Sequence, residues 1–162
     1  MSDQKLSDAL KQGMRNLASG VCVVTACTEA GDRVAMTASS VTSVSAEPPS
    51  LLVCVNQSAS MDPVLAVTTG FTVNVLNSHQ QEVSNICASP AEGENRFGVG
   101  NWVVDEASGL SYLSDALVTF FCEKTLTVPY GTHNIYIGDI HKVAFNEAEN
   151  ILVYAKGAYH SL

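Results

Sequence analysis

Apolar residues recur along this chain at two periods. At the amino end Leu6, Leu10, Met14 and Leu17 return every three or four residues, the spacing of one helix face. Beyond them the period shortens. Val21–Thr28 is rich in Val and Cys and reads as a buried strand. Glu29-Ala-Gly-Asp32 is turn chemistry, and Arg33–Thr37 continues as the second arm of a hairpin. Val41–Ser45 alternates apolar and hydroxyl side chains, as a half-buried strand does, and Pro48-Pro49 interrupts it. Leu51–Val55 is a short strand, apolar throughout. Ser60 stands where it would cap a brief helix with Asp62 and Pro63 in the first turn. Phe71–Leu76 returns to strand character. Ser78-His-Gln-Gln81 has capping-box form and opens a helix to about Ala88. Glu92–Asn101 is polar, Gly-rich and irregular. Ala116–Val128 and His133–Phe145 are two long strands around a Pro129-Tyr-Gly-Thr132 turn, and Ile151–Lys156 is a last strand.

Six or more strands with only short helices do not fit an alternating βαβ order. The expected class is mainly β: an antiparallel β-barrel with peripheral helices. No repeat or linker divides the 162 residues, so one domain over residues 1–162 is expected. The nearest dinucleotide fingerprint, Gly98-Val-Gly100, lacks its last Gly, a preceding strand and a following helix. A nicotinamide cofactor must therefore be held without a Rossmann fold.

Composition narrows the partners. Hydrophobic residues make up 46% and charged residues 15%, a thin polar coat that points to a second subunit over part of the surface. Eight basic residues against 16 acidic ones give a net charge of −8, which excludes nucleic acid and an anionic membrane surface as partners. An anionic cofactor must then be gripped locally, by hydroxyls, backbone N–H groups and one or two basic side chains. No apolar run reaches a membrane span and the N-terminus lacks a signal-type apolar core, so the cytoplasm is the expected location. Five cysteines without a CxxC read as buried thiols, and four histidines without ligand spacing give no metal site.

Three segments could carry chemistry. Met36-Thr-Ala-Ser-Ser-Val-Thr-Ser-Val-Ser45 places six hydroxyl residues within nine positions, enough to surround a phosphate without net charge, although strand faces are often hydroxyl-rich. Val55-Asn-Gln-Ser-Ala-Ser60 leads from a strand into a short helix, an anion site or simply a cap. Tyr130-Gly-Thr-His-Asn-Ile-Tyr-Ile-Gly-Asp139 sets His133 directly after a tight turn, on the side of Ile135 and Ile137. A lone His there is otherwise structural.

Together these segments resemble the flavin reductase-like family, the short-chain reductase components of two-component flavin-dependent monooxygenases. The likeness runs from Met14 to Tyr159. It includes Met14-Arg-Asn-Leu-Ala-Ser-Gly-Val-Cys-Val-Val-Thr25, the two hydroxyl segments with Pro48-Pro49, Phe71-Thr-Val-Asn-Val-Leu76, Asn95-Arg-Phe97 and Tyr154-Ala-Lys-Gly-Ala-Tyr159. The resemblance implies a split-barrel homodimer of the FMN-binding type, an NAD(P)H:flavin oxidoreductase that takes hydride from NADH or NADPH. It would bind FMN or FAD near the subunit interface and supply diffusible reduced flavin to a partner monooxygenase. It implies that Thr37, Ala38, Ser39, Ser40, Asn56, Ser58 and Ser60 contact the flavin. Ser45, Arg96, Phe97 and Tyr159, from the matched segments, join them as candidates, Arg96 for a phosphate. His133 is the catalytic candidate, beside the nicotinamide. The family's Gly-Asp-His reads Gly131-Thr-His133 here, and Gln57 stands where a basic residue is frequent. Two other readings remain open on these residues: a non-catalytic flavin carrier or sensor, and a flavin-dependent reductase of another acceptor, such as a corrinoid or ferric chelate.

Overall fold

Two residues, Ser39 and Ser40, join the two edges of the main sheet and thereby set its shape. The computed structural model describes residues 2–147 and 150–162. In chain order its elements are α1 (Asp3–Met14), β1 (Ser19–Gly20), β2 (Cys22–Cys27), β3 (Arg33–Ala38), β4 (Val41–Ala46), β5 (Pro49–Asn56), α2 (Met61–Val67) and β6 (Gly70–Val75). There follow α3 (Gln81–Ala88), β7 (Trp102–Val104), β8 (Ser111–Leu113), β9 (Val118–Tyr130), β10 (His133–Phe145), β11 (Leu152–Ala155) and β12 (Ala158–Ser161). Seven strands form one antiparallel sheet in the order β3-β2-β6-β9-β10-β5-β4. Laid flat, its edge strands would stand about 29 Å apart. The chain from Ala38 to Val41 spans at most roughly 11 Å. The sheet must therefore roll until its edges approach. Ser40 already belongs to the β5 side: its hydroxyl donates to the Cys54 carbonyl at 3.0 Å, and the Cys54 N–H donates to its carbonyl at 3.4 Å, one step beyond the Val41–Val53 pair. Among the described residues β3 and β4 do not pair with each other, so the barrel is split rather than closed.

Side-chain alternation sorts the apolar residues into two layers. Val24, Ala26, Val53, Val55, Phe71, Val73 and Tyr136 fill the barrel, where α2 adds Met61 and Leu65. The Tyr136 hydroxyl and the Asn134 amide both donate to Asp62 Oδ1, at 2.7 and 2.8 Å, which fastens the start of α2 to β10. Lys124 Nζ donates to the Leu65 and Ala66 carbonyls at its other end. Val21, Val23 and Ala35 face outward and are covered by Val83 and Cys87 of α3, by Phe97, and by Leu113 and Leu152. Burial on both faces is why β2 shows no alternation in the sequence.

The outer layer is pinned by one amide. Asn74, fully buried on β6, donates to the Val23 carbonyl and the Thr72 hydroxyl and accepts from the Leu113 N–H and the Thr119 hydroxyl. All four bonds lie between 2.9 and 3.1 Å. Thr25, beside it, shares a 2.6 Å bond with Thr72 and donates to the Ser111 carbonyl. The β7–β8 hairpin is thus hung on the sheet by polar groups.

The long β9–β10 hairpin turns at Gly131 as the sequence indicates. Elsewhere the structure differs. Ser60 does not cap α2: its backbone is already helical and its side chain makes no cap bond. The capping box lies one residue earlier than expected, on Asn77 and Gln80, and opens a 3-10 turn (Ser78–Gln80) before α3. Glu92–Asn101 contains a 3-10 turn (Gly93–Phe97). β4 ends at Ala46, before Pro48 as the sequence indicates, but Pro49 already starts β5. β4 was expected half-buried, yet beyond Val41 it is an exposed edge. The last strand stops at Ala155, because Lys156 and Gly157 both take positive φ, 52° and 77°, and turn the chain into β12.

Asn74→Leu should cost at least about 2 kcal/mol, since it strands the Leu113 N–H and the Val23 carbonyl in a dry layer. Urea unfolding checks this: the midpoint should fall with an unchanged slope.

Candidate functional site

The outer face of β5 and β10 is the floor of the site. Val53 and Val55 point into the barrel, so Leu52, Cys54 and Asn56 point out. Their cross-strand partners on β10 are Ile137, Ile135 and His133, which share that face. One register therefore aligns Asn56 and His133 with an apolar strip. Thr42 of β4 lies opposite Leu52 and extends the strip to the sheet edge.

Above part of this floor lies a groove of about 540 Å³. Leu52, Cys54 and Thr42 of the floor line it together with Ser39 and Ser40 at the split, Tyr154 and Ala155 of β11, Lys11 and Met14 of α1, and Arg15 just past the end of that helix. A second cavity of about 250 Å³ shares Ser39 and Tyr154 with it and adds Thr37, Ser84 and Tyr159. Their combined size and apolar base with convergent polar groups suit a ligand of cofactor size. Another cavity, about 490 Å³, lies between Cys27–Glu29 and Val67–Gly70. Its lining holds Glu29 and Glu123 and no Lys or Arg, the wrong charge for a nucleotide.

The candidate side chains are in unequal states. Ser39 is exposed and makes no side-chain hydrogen bond among the described residues, so its hydroxyl is available. Ser40 has spent its one proton on Cys54. Thr37 donates to the Ser84 carbonyl at 2.7 Å, and Tyr159 shares a 2.7 Å bond with the Ser84 hydroxyl. Asn56 Oδ1 accepts from both the N–H and the hydroxyl of Ser58, which leaves the amide N–H groups for a ligand. His133 is exposed at the far end of the strip, with Nδ1 2.9 Å from the Thr132 hydroxyl, so Thr132 orients the ring where an Asp was looked for.

Asn56 and His133 lie on the strip outside the lining of either cavity, Ser58 is turned onto Asn56, and five further candidates stand apart from both cavities and the strip. Ala38 is buried in the barrel. Ser45 closes its own turn onto Glu47. Ser60 lies beside Val34 and Arg96 in a separate shallow cavity. Phe97 is buried in the outer layer, edge-on to Trp102 and under the Arg33 guanidinium. Arg96 donates from Nε, Nη1 and Nη2 to the carbonyls of Ala91, Ala35 and Ser89 at 2.6 to 2.9 Å. A phosphate at Arg96 would have to displace that clasp. Sequence reasoning missed Lys11 and Arg15. Their four-residue spacing puts them on one side of α1, but nothing in the sequence says what α1 faces.

Burial raises the thiols of Cys22 and Cys122 to about 12 and that of Cys87 to about 11, so these three are inert near neutrality. Cys54 is half-exposed in the groove. A soluble thiol reagent at pH 8 should therefore label Cys54 and Cys27 and spare the other three. Added flavin should slow Cys54 at least fivefold and leave Cys27 unchanged, as read by peptide mass mapping.

Residues 14–162 match the family described as flavin reductase like domain. The reductase component of the FADH(2)-dependent resorcinol hydroxylase of Rhizobium sp. (strain MTP-10005) is 36% identical over 90% of this chain and 82% of its own. The FMN reductase (NADH) RutF of Acinetobacter baylyi is 36% identical over 93% and 79%. The NADH:FAD oxidoreductase SgcE6 of Streptomyces globisporus C-1027, solved with NAD and FAD fragments, superposes with a TM-score of 0.89. It is 28% identical and covers 99% of this chain and 94% of its own. With its split barrel and outward-facing groove, the chain belongs to the flavin reductase like domain family.

Proposed function

We propose that this protein is an NAD(P)H-dependent flavin reductase that supplies reduced FMN or FAD to a partner monooxygenase. The observation that carries the reading is the single register that sets His133 and Asn56 at the end of an apolar strip running into the groove. Relatives named as an NADH-using FMN reductase and as a hydroxylase's reductase component support it.

The residues present fit a flavin nucleotide. Leu52, Cys54 and Met14 offer apolar surface to a ring, and Ser39, Thr42 and the Asn56 amide offer donors. A bound flavin supplies the two-electron acceptor for the hydride of a reduced nicotinamide. The chain itself needs no acid–base pair. It excludes water with the Ile135–Ile137 strip and aligns the nicotinamide with His133, whose ring Thr132 holds. Ala38, Ser45, Ser58, Ser60 and Phe97 shape the segments around the site, and Thr37 and Tyr159 line its smaller compartment. Five free cysteines suit a reducing cytoplasm. Among the described residues no helix is long and apolar enough to cross a membrane.

The reading extends to a homodimer. On β9, Leu126, Val128 and Tyr130 pair with Ile137, Ile135 and His133 and are 52%, 38% and 81% exposed. With the bare β4 edge they make an apolar face continuous with the site, of the kind a second copy covers. Light scattering should give twice the 17.1 kDa chain mass, and Leu126→Asp with Val128→Asp should give the monomer with weakened flavin binding.

His133→Ala tests the chemistry. Hydride transfer depends on ring alignment, so kcat/KM for NADH or NADPH should fall roughly ten- to a hundredfold. Melting temperature and oxidised-flavin Kd should stay near wild type. Wild-type kinetics in the variant remove His133 from the site, and a wild-type protein that oxidises neither nucleotide in the presence of flavin refutes the reductase reading.

A further inference from the structure

An acidic protein that binds nucleotides must place its few cations with care, and here their positions can be followed one by one. Of the eight Lys and Arg side chains, four are committed to the fold. Arg33 is held by Glu94 at 2.8 Å and Lys142 by Asp105, while Lys124 and Arg96 donate to backbone carbonyls. Lys5, Lys11, Arg15 and Lys156 remain. Two of these, Lys11 and Arg15, line the same groove as Ser39, Ser40 and Thr42.

Arg15 is set there by specific structure. Its carbonyl accepts the Lys156 N–H across to the β11–β12 turn, and its guanidinium lies on Gly157. A Cβ at Gly157 would stand 2.8 Å from Arg15 Nη2, which shows how closely the guanidinium lies over the turn, while the positive φ of 77° is what favours glycine there. Among the described residues the Arg15 side chain has no ion pair or hydrogen bond. Lys11, one helical turn away, meets only Asp8, at 4.0 Å and in solvent. Two like charges four residues apart on one helix face repel each other, and nothing in the groove wall neutralises them. An anion between them would relieve that repulsion, in a groove that the free Ser39 hydroxyl also lines.

We propose that Lys11 and Arg15 form the anion-binding end of the groove and hold a phosphate group of its nucleotide ligand. The inference rests on the flavin-nucleotide reading of the groove. The same chemistry is carried by FMN, FAD, NADH and NADPH, and the phosphate-free reference is riboflavin. In a chain of net charge −8 this is also the one rim of the groove that attracts an approaching anion.

The test compares wild type, Lys11→Gln/Arg15→Gln, Arg15→Lys and Lys5→Gln, the last being a charge loss on α1 away from the groove. No residue of α1 is buried, so these variants should fold, and thermal melts check it. Flavin Kd is measured for riboflavin, FMN and FAD, and KM and kcat for NADH and NADPH. The double variant should lower the affinity of FMN or FAD relative to riboflavin about tenfold, or raise the KM of NADH or NADPH about tenfold at constant kcat. Which ligands respond identifies the phosphate. Arg15→Lys should recover part of the loss, and the salt dependence of binding should flatten in the double variant. The proposal is overturned if all four phosphate-bearing ligands keep their wild-type standing against riboflavin, or if Lys5→Gln does as much as the double variant. A wild-type protein that binds none of the five ligands overturns the reading of the groove and this inference together.

Discussion

The two-residue connection between the edges of the main sheet governs more of this molecule than its length suggests. A seven-stranded sheet whose edge strands are joined through Ser39 and Ser40 cannot stay open. Among the described residues those edges do not pair with each other, so the sheet stays split at that seam. A split barrel keeps an inner core, filled from α2, and exposes polar backbone and small hydroxyl residues along the seam. The groove lies at that seam, with Ser39 and Ser40 in its lining.

The same roll decides which residues meet. β5 and β10 are neighbours in the sheet but 76 residues separate Gln57 from His133, which its side chain touches. Antiparallel register brings His133 opposite Asn56, and alternation then puts Cys54 and Leu52 in line behind it. Two hydroxyl-rich segments and a histidine, far apart in the chain, become one surface, tied by strand pairing and by Gln57 on the His133 carbonyl. Positioning is therefore a property of the whole sheet, and rigidity in the Asn74 network and the Asp62–Tyr136 clasp supports a site that neither of them touches.

What was legible in the sequence follows from this. The β9–β10 hairpin was plain because long strands flank a Pro-Tyr-Gly-Thr turn. β2 was plain because a double-faced strand is apolar at nearly every position, Thr25 excepted. The β7–β8 hairpin was not, because its three-residue strands are held by Asn74 and by Thr25 on Ser111, contacts that leave no periodic trace. β12 escaped because the Lys156-Gly157 turn is carried by one left-handed lysine, which composition does not mark. The site was half legible: the hydroxyl segments and His133 lie on elements whose facing can be read from alternation. Arg96 could not be judged that way. A guanidinium beside a flavin segment looks like a phosphate partner, and only the positions of three carbonyls show that it binds its own loop.

The distribution of charge bears on how tightly such a site can hold. A guanidinium built into the core with satisfied partners would give a strong, salt-resistant grip on a phosphate. Here the guanidinium of that kind is spent on the fold, and the cations that reach the groove sit on α1, a helix with no buried residue. Charges so exposed are screened within about 10 Å at 0.1 M salt, so their hold on a phosphate loosens as salt rises. They act on encounter as well, because an approaching anion feels them before it is desolvated. Neutral hydroxyls then fix its position at small cost on departure. A protein whose reduced product has to leave for another active site is served by that division, capture and a salt-sensitive hold by solvated charge and positioning by hydroxyls. A tightly held prosthetic flavin would call for the reverse arrangement, with a fully partnered arginine such as Arg96 turned into the groove and the exposed cations elsewhere.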